Sequence, residues 1–177
     1  MTEPLFRRLL GDAIDDLPSV LRRAHDSNDC QRWFGRAQVV ASRNPIARAL
    51  CWMMGLPKAG NDIPVTVVFE RQGDAEVWRR DFAGRAYHSR FVARDGLIVE
   101  KMGPATNRFR ICVEDGRLRL DLVAFRFFGL PFPSWLSPQC PAAESEVDGR
   151  YRFDVPIFLP FLGFAIRYTG LMEELHD

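Results

Sequence analysis

Residues 63–122 read IPVTVVFERQGDAEVWRRDFAGRAYHSRFVARDGLIVEKMGPATNRFRICVEDGRLRLDL, and this stretch decides the fold. Ile63, Val65, Val67 and Phe69 alternate with Pro64, Thr66 and Glu70. That period of two sets one side of a strand on a core and the other in water. Gly73-Asp74 then interrupts the run as a turn. The pattern recurs: Val77 to Phe82 and Gly84, Tyr87 to Ala93 and Asp95-Gly96, Leu97 to Met102 and Gly103-Pro104. Phe109, Ile111 and Val113 lead to Asp115-Gly116, and Leu118, Leu120 and Leu122 follow. Strands this short, joined by turns this tight, pair antiparallel with their neighbours, because a parallel return needs a long crossover.

Toward the C-terminus, Tyr151, Phe153, Val155, Ile157 and Leu159 form one further alternating row, and Phe164, Ile166, Tyr168 and Met172 another. Toward the N-terminus the period changes. Leu5, Phe6, Leu9, Leu10, Ala13, Ile14 and Leu17 recur at helical spacing, and Pro18 opens a second helix with Val20, Leu21 and Ala24 as its apolar side. A third helix has Asn44 as N-cap, Pro45 at its first position and Gly55 past its end. Its apolar stripe is Ile46, Ala49, Leu50, Met53 and Met54. Between the second and third helices, Gln31 to Ser42 reads as a first strand. The expectation is one α+β, β-dominated domain over residues 1–177: residues 1–60 mainly helical with one strand, residues 61–177 an antiparallel meander. With one apolar face per strand the sheet must curl, as a strongly curved meander or an incomplete β-barrel on which the N-terminal helices pack.

Composition narrows the function classes. Hydrophobic residues are 47% and charged residues 27% of the chain, which is ordinary for a globular protein. A formal net charge of +1 gives no global field for nucleic acid or an anionic membrane. Cys30, Cys51, Cys112 and Cys140 form no close-spaced pair, so they read as reduced, mostly buried thiols rather than zinc ligands. The longest apolar run, Val155 to Ile166, holds Pro156 and Pro160 and is too short to span a bilayer. Charges throughout Met1 to Asp16 do not fit a secretory signal, and the expected location is the cytoplasm.

Several strings carry a family likeness: Trp78-Arg79-Arg80-Asp81-Phe82-Ala83-Gly84, Glu100-Lys101-Met102-Gly103-Pro104 and Gly129-Leu130-Pro131-Phe132-Pro133. So do residues 148–155, DGRYRFDV, and Leu159-Pro160-Phe161-Leu162-Gly163 running to Tyr168-Thr169-Gly170. Together they resemble the bacterial domain of unknown function numbered 4166, from Leu5 to Leu171, with Phe132 in place of a leucine and Ala83 in place of a second glycine. The resemblance implies that members occur alone or behind reductases similar to saccharopine dehydrogenase, so a nicotinamide-dependent reductase is a conceivable partner. It brings no catalytic residue with it. The chain itself has no GxGxxG within a βαβ unit, no GxSxG, no GxxxxGK[ST] and no HExxH, so no cofactor or metal is expected.

Few polar residues fall on the apolar rows. Arg80 shares a strand face with Trp78 and Phe82, and an inward arginine needs an anion. Glu100, between Ile98 and Met102, and Glu144 are the candidate partners. Tyr168, in line with Phe164 and Ile166, is a second inward polar tip, expected to bond a carbonyl. His25 reads as closing the second helix against a backbone carbonyl, and His88 as facing solvent. Residues 127–136 and 158–164 are apolar loops too greasy to stand free, expected to meet and cover one end of the sheet. Three readings stay open. The first is a binding domain that holds a small hydrophobic or amphipathic ligand, with Trp78 and Phe82 as walls and Arg80, Glu100 and Tyr168 at the polar head. The second is an enzyme using inward polar residues; the third is an accessory module of a reductase. Peripheral membrane contact through the loops is open as well.

Overall fold

The computed structural model describes residues 3–175. Alternation after residue 60 becomes β2 (Gly60–Gln72), β3 (Ala75–Phe82), β4 (Arg85–Arg94), β5 (Leu97–Met102), β6 (Ala105–Glu114) and β7 (Arg117–Phe127). Each pairs antiparallel with the next. The turns follow from their residues. Asp95-Gly96, Asp115-Gly116 and Asp148-Gly149 have positive φ at both positions, the type I′ geometry whose twist matches a hairpin.

The sheet closes rather than remaining an incomplete barrel. β1 (Gln31–Ala41) pairs with β2 on one side and with β11 (Gly163–Glu174) on the other, and the row continues through β10 (Arg150–Leu159) and β9 (Pro141–Val147) to β7. With β6 paired to β7, ten strands complete a ring, and β8 (Leu130–Phe132) folds back on the far half of β7. Gly35 makes the β1–β11 seam possible: a Cβ there would lie 1.9 Å from the Leu171 carbonyl oxygen. The outer wall carries exposed Arg36, Arg79, Arg90, Arg110 and Arg152, which faces it to water rather than to hydrocarbon. Among the described residues no helix is long and apolar enough to cross a membrane.

The two ends of the barrel differ. One is plugged by α1 (Leu5–Leu10), a 3₁₀ turn (Gly11–Asp16) and α2 (Ser19–His25). The single long helix expected from Leu5 to Leu17 breaks at Gly11, whose φ is 56°. The plug buries Leu5, Phe6, Ile14, Val20 and Leu21 almost completely, each contributing about 1.5–3 kcal/mol of apolar transfer. At the other end α3 (Pro45–Met53) lies beside the mouth, capped by Asn44, whose Oδ1 accepts from the Ile46 and Ala47 amides. Only Ala47 and Cys51 of α3 are buried, whereas Ile46, Leu50 and Met53 of its apolar stripe are exposed. An open mouth gives that stripe nothing to pack on.

Candidate functional site

Inside the ring lies a cavity of about 430 Å³. Its walls are the inward rows of the strands, among them Val67, Phe69, Phe109, Leu120, Leu122 and Phe153. Leu50, Met53 and Met54 from α3, and Phe132, Leu136 and Leu162 from the apolar loops, line its outer part. The volume falls within the usual range for a small-molecule site.

β3 places Trp78, Arg80 and Phe82 on the cavity side, two residues apart, with Phe82 nearest the mouth. Arg80 stands over three aromatic rings: its Cζ is 4.9 Å from the Trp78 ring centre, 5.4 Å from Tyr87 and 5.7 Å from Phe91. Its Nη1 donates to Ser89 Oγ at 3.1 Å, and its Nη2 lies 4.0 Å from Glu100 Oε1. The second distance is an ion pair too long for a hydrogen bond. Glu100 is steadied instead by Asn107, whose Nδ2 donates to Oε2 at 2.8 Å. Among the described residues Arg80 thus makes one side-chain hydrogen bond for its five N–H donors, in a cavity whose walls are mostly apolar.

Tyr168 also faces the cavity, edge-on to Phe82, near the Tyr87 phenol. No carbonyl partner is seen for Tyr168 among the described residues; its phenol interacts with that of Tyr87, whose buried Oη bonds no other described residue. Burial pushes both phenols above their ordinary range, so both keep their protons and can donate. Cys140, on the same wall, is pushed up to about 12 by burial and stays a thiol.

Below this layer the plug brings in a second polar group. His25 Nε2 sits 2.5 Å from Glu144 Oε2, with both side chains sealed from solvent. This corrects two expectations. His25 finishes α2 on a carboxylate rather than a carbonyl, and Glu144 serves His25 rather than Arg80. Glu76, also buried, accepts from Trp78 Nε1 at 3.0 Å. His88 is exposed, on the outer face of β4. The cysteines are less hidden than expected: Cys30 and Cys112 are exposed, Cys140 is half-buried on the cavity wall and Cys51 is buried, with all of them free.

Ser89, Tyr87, Asn107 and the His25–Glu144 pair were not singled out as site residues by their sequence. Ser89 and Tyr87 sit on the inward row of β4 with Phe91, and Asn107 lies between Ala105 and Phe109 on β6, so alternation carried the signal for all three. The His25–Glu144 contact spans 119 residues of chain and had no local signal.

A family model described as "Domain of unknown function (DUF4166)" matches residues 17–172, nearly the whole barrel and α2. The chain belongs to DUF4166. No curated protein matches this DUF4166 sequence. Among solved structures it is similar to a secretary abundant heat soluble (SAHS) protein from Ramazzottius varieornatus, at 10% identity and a TM-score of 0.42. The superposition covers 78% of this chain and 90% of that one.

Proposed function

We propose that this DUF4166 barrel binds a small amphipathic ligand, with an alkyl or ring body against the apolar walls and an acidic head on Arg80. One observation carries the reading: a guanidinium inside an apolar cavity, with a single hydrogen bond to Ser89 and its carboxylate neighbour 4.0 Å away. A buried cation is costly unless its donors are used, and a ligand carboxylate or phosphate would use them. The Tyr87 hydroxyl, buried beside that of Tyr168, supplies a second donor to the same head. Glu100 lies 4.0 Å from the guanidinium, and Asn107 holds it in place. The protein isolated from its native host should release, on solvent extraction, an acidic amphipathic molecule detectable by mass spectrometry. Arg80→Met protein prepared the same way should release much less. A wild-type extract containing only neutral or cationic molecules would overturn the reading.

The acid–base enzyme reading has one observation in its favour, the His25–Glu144 pair, because Glu144 also lines the cavity. His25 is fully enclosed, so any proton it handled would have to pass through Glu144. Turnover of an extracted ligand that stops in Glu144→Gln, with binding retained, would support this reading over simple carriage. An accessory role beside a nicotinamide-dependent reductase, and a cytoplasmic setting for either, remain proposals from the sequence. Co-purification from the host tests the first, and fractionation of host cells the second.

A further inference from the structure

The largest exposed apolar side chains outside the cavity sit together around its mouth. Phe161 is 85% exposed, Phe128 76%, and Leu130, Trp135 and Trp52 about two-thirds. The loops that carry them meet, with Trp135 and Phe161 ring centres 6.3 Å apart. They do not bury these tips, so the cover expected from the sequence is instead a protruding rim. None of these five residues lines the cavity, so filling it would not satisfy them. Phe128 and Phe161 also hold φ of 48° and 63°, a conformation bulky side chains avoid. The fold thus accepts backbone strain at two sites to present phenylalanines to the outside.

Charge is sorted along the same axis. The segments around the mouth, residues 42–61, 101–107, 123–140 and 157–166, contain no aspartate or glutamate. They carry Arg43, Arg48, Lys58, Lys101 and Arg126, all exposed. Asp62 and Asp81 are the acids nearest this end; Asp62 pairs with Arg36 and Asp81 caps the amide of Gly84. The plugged end gathers the acids instead: Asp12, Asp15, Asp74, Asp95, Asp115 and Asp148 lie in its helices and turns. A net charge of +1 conceals this division.

We propose that the mouth face docks on an anionic lipid surface, with the aromatic tips entering the headgroup region and the basic rim over lipid phosphates. Aromatic and aliphatic tips beside lysine and arginine are the chemistry of interfacial binding. A second copy of this chain fits less well, since face-to-face pairing would set two basic rims against each other. Docking does not depend on what the cavity holds. It would open the cavity directly onto the lipid phase.

Sedimentation with vesicles tests this, using phosphatidylcholine alone and phosphatidylcholine with roughly one-third phosphatidylglycerol. The double variant Phe128→Asn/Phe161→Asn removes both tips and places asparagine, which tolerates positive φ, at both strained positions, so folding should be kept or improved. Wild type should pellet with the anionic vesicles, less with neutral ones and less in high salt. Trp52 and Trp135 emission should shift to the blue on binding. The double variant should bind at least about tenfold more weakly with its melting temperature unchanged or raised. Wild type that stays in the supernatant with anionic vesicles, or a double variant that pellets equally, overturns the proposal. So does a lipid-free wild-type dimer that the double variant abolishes.

Discussion

Glu76 shows what single residues contribute to this interior. Its carboxyl lies between Trp78 Nε1–H and the Leu5 backbone of the plug, and burial raises it above the ordinary carboxylate range, with weaker opposing pulls from Trp78 Nε1–H and His25. The folded protein therefore holds that proton to higher pH than the unfolded chain does. This stability is complete below the unfolded carboxyl's pKa, about 4.3, and is lost as pH rises through the higher folded value. Glu76→Gln imitates the protonated form and keeps the acceptor for Trp78. The variant should melt above wild type near neutral pH, with the gap narrowing as pH falls toward about 4. Thermal melts across that range decide it, and a gap independent of pH would assign the effect to packing. The inward direction of Arg80 followed from one alternating row, whereas its bond to Ser89 and the diversion of Glu144 to His25 depend on which strands are neighbours. Local sequence does not contain that information.

At the level of elements, turn chemistry was the most legible feature. The Asp-Gly dipeptides became hairpin turns because aspartate and glycine accept the positive φ that these turns demand. Ala83 occupies such a position with φ of 52° and no side-chain means of supporting it. Ala83→Asn should raise stability by up to about 1 kcal/mol, measured as a shift in the denaturant midpoint. A loss would mean that the 83–84 turn is fixed by contacts outside itself. Two strands escaped sequence reading. β9, PAAESEV, is rich in alanine and glutamate and has little strand propensity of its own; its hydrogen bonds to β7 and β10 hold it extended. β8 is three residues within an apolar loop, recognisable only by its pairing with β7. The α3 stripe is apolar as its spacing indicates, but it lies at the mouth of the barrel, where much of it is exposed.

For the whole molecule, closure is the property that local pattern could not supply. A meander leaves two edges, and only the pairing of β1 with β11, across most of the chain, removes them. Closure encloses the cavity, the plug gives it a floor, and the aromatic rim marks its opening. The central claim is that Arg80 selects the acidic head of a ligand whose body fills this space. It is tested most directly by titrating a matched pair of probes, a medium-chain fatty acid and its methyl ester, into wild type and into Arg80→Met/Glu100→Gln. The paired substitution removes both charges together, so neither is left buried alone. Wild type should prefer the acid by about 10- to 100-fold, the worth of a charge-assisted hydrogen bond, and the double variant should bind the two probes alike. Equal binding of acid and ester by wild type, or an undiminished acid preference in the variant, would contradict it.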